Sequence, residues 1–120
     1  MVKAKEAMKT MKIEDNSEKR FYDFLSLAAK AGKLKSGEFS VEKSVKMGKA
    51  YLVIIAEDAS PRTRKSYDDM CSYYNVDIVI ASDKERLGRA IGKDFRVAVA
   101  VCDENFANGL LKYCVENQVQ

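Results

Sequence analysis

Tyr51-Leu-Val-Ile-Ile-Ala56, running straight into Glu57-Asp-Ala-Ser-Pro61, is the stretch on which the fold turns. Six apolar residues without alternation, most of them β-branched or aromatic, read as a strand covered on both faces. Ser60 suits the cap of a helix, and Pro61 suits its first position, where no backbone N–H is needed. Strand, turn and helix start therefore follow one another without a spacer. In open α/β sheets functional groups gather at such strand ends.

The flanking sequence repeats the pattern. Asp77-Ile-Val-Ile-Ala81 reads as a second buried strand and Arg96-Val-Ala-Val-Ala-Val101 as a third. Between the first two, Thr63, Tyr67, Met70, Cys71 and Tyr74 recur at helical spacing. Ser82-Asp-Lys-Glu85 has the form of a capping box and opens a short helix with Leu87, Ala90 and Ile91 inward, closed by Gly92. Upstream, Phe21, Phe24, Leu25, Ala28 and Ala31 mark a helix capped at Asn16 or Ser17 and stopped at Gly32. Lys33-Leu-Lys35 allows a brief strand. Ser36-Gly37 then opens a second helix with Val41 and Val45 inward and Gly48 at its end. Asp103 can cap a last helix with Phe106, Leu110, Tyr113 and Cys114 inward.

Alternating strands and helices predict an α/β fold, a three-layer α/β/α sandwich with a four-stranded mixed sheet. The three long strands are expected to be parallel, with 50–56 between the other two. The brief strand is expected at an edge, antiparallel. Residues 1–16, with Lys3, Lys5, Lys9 and Lys12 among small residues and methionines, are expected to form a flexible basic arm. Residues 17–120 are expected to form one domain.

The composition bounds the function. A chain of 120 residues, 47% apolar and 32% charged, has room for one core. Its apolar runs are too short for a membrane span, and residues 1–16 hold no apolar block, so neither a membrane partner nor a signal peptide is expected. Cys71, Cys102 and Cys114 have no metal-ligand spacing, and there is no histidine. These features predict reduced thiols in a cytoplasmic protein, with no metal and no cofactor. The net charge of +3 says little, but its placement says more. Residues 30–49 hold six lysines against Glu38 and Glu42, a local +4, and the rest of the chain sums to −1. A basic patch on a near-neutral domain suits a phosphate-bearing partner; a merely solvated helix face is the bland reading.

Catalytic signatures are missing from the sequence. It has no histidine base, no G-x-S-x-G elbow, no phosphate-binding G-x-x-x-x-G-K-[ST] loop and no G-x-G-x-x-G. Glu57 and Asp58 are paired carboxylates at a strand end, yet neighbours on a strand point to opposite faces. Capping a nearby helix, or answering the lysines, is the plainer role. No catalytic residue and no small-molecule substrate are expected. The basic segment has better geometry. Residues after Gly37 begin a helix, whose first N–H groups favour phosphate oxygens. Lys43 follows Phe39 by four and shares its face. A ring beside an ammonium suits a nucleic acid: one can stack, the other can reach a phosphate or a guanine edge. A core contact for Phe39, and solvated positions for Lys33, Lys35 and Lys46, are the competing readings.

Gly37-x5-Lys43, then Gly48-x-Ala50-x-Leu-Val-Ile-Ile-Ala-Glu-Asp58, then Leu87-Gly-Arg-Ala-Ile-Gly92, in this order and spacing, resemble the ribosomal L-seven-Ae/L-thirty-e family of kink-turn RNA-binding proteins. Leu25-x-Leu-Ala-x-Lys-Ala-Gly-Lys-Leu34 is similar to its small bacterial members, and the resemblance spans about residues 20–112. It implies a non-catalytic, monomeric protein of translation or RNA metabolism that binds bent or looped RNA, ribosomal RNA among the candidates. It places the contact on the second helix, at Gly37, Glu38, Phe39, Ser40 and Lys43, and Lys33, Lys35 and Lys46 are expected near phosphates. The acidic pair Glu57-Asp58 falls beside it, and Ile80, Ala81 and Ser82 fall where a loop should cover an extruded base. Kink-turn readers of the family carry Asn-Glu where this chain has Phe39-Ser40. Guanine-edge reading is thereby traded for a ring that can stack. A protein-interaction module that kept the fold and lost RNA reading is the alternative. A carboxylate enzyme using Glu57 and Asp58 is the third.

Overall fold

The computed structural model describes residues 9–116. In chain order they form β1 (Lys9–Ile13), α1 (Glu18–Lys30), β2 (Leu34–Ser36), α2 (Glu38–Lys46), β3 (Leu52–Ile55), α3 (Pro61–Tyr74), β4 (Asp77–Ile80), α4 (Lys84–Ala90), β5 (Ala98–Val101), α5 (Glu104–Lys112) and β6 (Cys114–Glu116). β3 lies at the centre and is buried throughout. Its side chains alternate between two cores, as a pleated strand requires. Val53 and Ile55 join Val41, Val45, Tyr67 and Cys71 under α2 and α3. Leu52, Ile54 and Ala56 join Phe21, Leu25, Leu87 and Leu110 under α1, α4 and α5. Two helices on one face and three on the other make the α/β/α sandwich.

The mixed four-stranded sheet runs β2-β5-β3-β4, with β3 between the two other long strands and β2 at the edge, antiparallel to β5. Two features correct the sequence reading. β5 is antiparallel to β3 and not parallel to it. A parallel return needs a crossover long enough to span the sheet. α4 has only seven residues, and the chain after it doubles back along the helix: Lys93 N donates to Gly88 O and Arg96 N to Lys84 O. β5 therefore enters from the end where β3 and β4 leave.

The second correction concerns the ends of the domain. Lys9–Ile13, assigned from sequence to a flexible arm, forms β1, which pairs in parallel with β4 and antiparallel with β6. The sheet thus extends to six strands. Met11 and Ile13 pack against the α1-side core while Lys12 faces solvent. Residues 1–8 of that arm lie outside the described residues. Cys114, placed by its spacing on the last helix, instead begins β6.

Caps explain several local turns. Ser60 accepts from Thr63 N, with Pro61 at the first helical position, and Asp103 accepts from Phe106 N. At α4 the cap is Asp83, which accepts from Arg86 N, and not Ser82. Ser82 has a left-handed φ of 67° and is buried, its Oγ 2.7 Å from the Tyr22 hydroxyl. Ser17 occupies the α1 cap position without a side-chain cap bond.

Candidate nucleic-acid interface

Ser36 ends β2, and Gly37 turns the chain into α2 with φ 90° and ψ 150°, a backbone that L side chains rarely adopt. Val41, Ser44 and Val45 form the buried face of α2. The opposite face is set by the helical repeat, and Phe39 and Lys43, four residues apart, lie on it together. Phe39 is 78% exposed, which removes the core reading of this residue. Lys43 is exposed and makes no ion pair among the described residues. Glu38, Glu42 and Lys46 line the flank toward α3. There Lys46 is held by Glu42 at 2.6 Å, and that hydrogen bond raises its pKa. Lys46 is thus already answered, unlike Lys43. Lys35 projects from the edge strand β2, exposed. Lys33 precedes that strand, roughly 13 Å from Gly37 if the segment is extended.

A loop missed by sequence reading completes the surface. Residues 91–97 return the chain to β5. Arg96 donates from Nε to Ser36 Oγ at 3.1 Å and from a terminal nitrogen to the Phe95 carbonyl at 2.9 Å. This guanidinium ties the loop to the residue before Gly37. Phe95, the residue next to the tether, is 63% exposed, and Lys93 is exposed and without an ion pair among the described residues. Gly88 holds the loop down from beneath: a Cβ there would lie 1.5 Å from the Asp94 carbonyl oxygen. The available signal was Leu87-Gly-Arg-Ala-Ile-Gly92 itself. Gly88 inside a helix marks close backbone approach as much as a repeat of the family pattern.

Ile80, Ala81 and Ser82, expected from the resemblance to cover an extruded base, lie at the buried end of β4. They are 5%, 0% and 7% exposed, and Ala81 N donates to Ile55 O within the sheet. They end β4 inside the fold and offer no side-chain surface. Glu57 and Asp58 are both exposed, but they do not act as a pair. Asp58 Oδ1 accepts from Lys84 N at 3.0 Å, satisfying an N–H of the first turn of α4, while the Glu57 carbonyl accepts from Arg64. Glu57 N donates to Ser82 O, and Ala56 N to Val97 O. The acidic end of β3 therefore borders the same loop. Among the described residues no group of three His, Cys, Asp or Glu gathers to hold a metal ion.

Residues 19–111 match the ribosomal protein L7Ae/L30e/S12e/Gadd45 family. A relative from Bacillus subtilis (strain 168), named RNA-binding protein YlxQ, is 44% identical over 91 residues, covering 76% of this chain and 91% of its own. The large ribosomal subunit protein eL8 of Thermoplasma volcanium is 34% identical over 75% of this chain and 74% of its own. Among solved structures, a protein of unknown function from Bacillus halodurans C superimposes with a TM-score of 0.74 at 37% identity, over 78% of this chain and 95% of that one. A 15.5kD RNA binding protein of Giardia lamblia, 24% identical, has a TM-score of 0.68 over 83% of this chain and 86% of its own, a likeness of fold alone.

Proposed function

The chain belongs to the ribosomal protein L7Ae/L30e/S12e/Gadd45 family, and on that premise we propose that it is a non-catalytic RNA-binding protein of translation, acting as a monomer in a bacterial cytoplasm. It takes a bent or looped structured RNA, ribosomal RNA among the candidates, across the outer face of α2 and the 91–97 loop. One observation carries this reading: Phe39 and Lys43 stand exposed side by side on α2, next to a loop tied down by Arg96. Lys43 reaches a guanine edge or phosphate, Gly37 lets the RNA backbone approach, and Lys35 and Lys93 meet phosphates. Glu38, Ser40 and Glu57 border the contact. Lys33 and Lys46 contribute long-range attraction only.

Titration of the full chain with structured RNAs at several salt concentrations tests it. Three or four phosphate contacts give a slope of about −2 to −4 in log affinity against log salt. Lys43→Ala weakens binding about tenfold, within the range of a good base contact. Unchanged affinity in that variant would remove α2 from the interface.

A second reading has an observation of its own. Tyr73, 81% exposed, packs edge-on against Tyr74 at the rim of an open groove of about 580 Å³ between α2 and α3. Such a surface suits a protein partner. A shallow salt slope together with RNA binding indifferent to Lys43 would favour it.

A further inference from the structure

Phe39 and Phe95 contribute little to the core, since both residues are mostly in solvent. Single exposed apolar residues need no explanation. These two, however, lie on segments joined by one tether. Phe39 lies in the first turn of α2, and Phe95 is bonded through its carbonyl to the guanidinium that grips Ser36. The chain turns at Gly37 between them. Lys43 sits one helical turn beyond Phe39 and Lys93 two residues before Phe95, neither with a carboxylate partner among the described residues. The loop cannot swing freely, because Gly88 and the Lys93 N–Gly88 O bond hold it on α4. Two exposed rings on anchored backbone, each followed or preceded closely by a lysine, are the elements from which sequence-tolerant recognition of unpaired bases is built.

We propose that Phe39 and Phe95 are separate stacking platforms, so that the RNA bound here presents two unpaired bases, one to each ring. This rests on the RNA reading given above and narrows its substrate class. The ligand is a loop, bulge or internal junction with exposed bases, recognised by stacking in place of the edge reading that an amide and a carboxylate would supply. Base identity at the two positions then matters little, whereas their being unpaired matters much. Lys43 and Lys93 answer the phosphates of the splayed nucleotides.

The test uses the full chain and a hairpin RNA with an internal loop, each loop position carrying 2-aminopurine in turn, beside the same hairpin closed by full pairing. The looped RNA binds at least tenfold tighter than the paired one, and the probe's fluorescence changes on binding. Phe39→Leu and Phe95→Leu, apolar but not aromatic, each weaken binding of the looped RNA about 5- to 100-fold, the range of single base–ring contacts. Phe39→Tyr and Phe95→Tyr retain the affinity. Both positions are exposed, so the variants keep the fold, and circular dichroism confirms it. If the leucine variants bind as the parent does, or the paired hairpin binds equally well, the platforms do not exist even where Lys43→Ala still weakens binding. If no RNA binds the parent, the RNA reading itself fails and takes the platforms with it. Sedimentation without RNA adds a further check: self-association abolished by Phe39→Ser or Phe95→Ser would assign the rings to a protein contact and overturn the proposal.

Discussion

Two regions of this molecule differ in what answers their cations: on α1 and α4 three of the six are in ion pairs among the described residues. Along α1 and α4, Arg86 meets Glu18 at 3.4 Å and Asp83 at 3.5 Å, Arg89 meets Glu85 at 3.1 Å, and Lys19 meets Asp23 at 2.7 Å. Around the start of α2, Lys35, Lys43 and Lys93 have no carboxylate within ion-pair distance among the described residues. Exposed ion pairs contribute little to stability, roughly 0–1 kcal/mol each. Their effect on a polyanion is larger, because every paired carboxylate cancels a cation and repels the incoming phosphate. A nucleic-acid surface is therefore found by asking which cations are unanswered, not by counting lysines and arginines. The same contrast runs across α2 itself: Lys43 is unanswered on one face, and Lys46 is held by Glu42 on the flank.

The hardest way to break the contrast is to dislodge the loop that completes the unanswered side. Gly88→Ala sets a Cβ 1.5 Å from the Asp94 carbonyl oxygen, so loop or helix must move. Overpacking of this kind costs about 1–3 kcal/mol or more. A lower melting temperature is expected, together with loss of RNA binding well beyond that of Lys43→Ala.

Next in size is an alkaline effect on the buried side of the α2–α3 pair. Burial, with smaller contributions from Glu38 and Glu42, pushes the Tyr67 phenol up to about 12 from its ordinary 10. A folded value above the unfolded one means that the stabilisation is complete below pH 10 and is lost as pH climbs through 12. The loss is on the order of 2 kcal/mol. Thermal melts across that window show it, and Tyr67→Phe removes its share, leaving that of Cys114, whose thiol burial pushes up to about 11.

The direct comparison of the two regions is a matched pair of substitutions. Lys43→Ala lowers RNA affinity about tenfold, whereas Arg89→Ala, which removes a cation already paired to Glu85, changes it by less than about twofold. Equal losses would mean that pairing does not matter and that the contrast is wrong. The smallest effect sharpens it: Glu42→Gln releases Lys46 and raises RNA affinity about twofold, with a steeper salt slope. Parallel binding curves at low and moderate salt would resolve it.

Much of the architecture was legible in local patterns. The unbroken apolar run 51–56 announced a two-faced strand, Ser60-Pro61 and Asp103 announced helix starts, and Val41 and Val45 announced the buried stripe of α2. The geometry of the candidate site was legible in part. The turn at Gly37 and the shared face of Phe39 and Lys43 could be read from spacing, and Phe39 remained open between core and surface. The burial of Ile80, Ala81 and Ser82 was not legible, because apolar sequence at a strand end does not distinguish an exposed loop from the strand's own buried terminus.

Patterns of a few residues and the chemistry of single side chains sufficed for element types, most helix starts and the location of the basic segment. Direction and partnership did not follow from them. Whether β5 runs with β3 or against it depends on the loop after α4 folding back on Gly88. Whether Lys9–Ile13 is an arm or a strand depends on β4 and β6, which lie far along the chain. Ion pairing is mixed: Glu42–Lys46, Lys19–Asp23 and Glu85–Arg89 are four apart on one helix, as helical spacing allows, whereas Arg86–Glu18 joins α4 to α1. The strand pairings and the Arg86–Glu18 bridge are contacts between residues distant in sequence, and no local periodicity encodes such a contact.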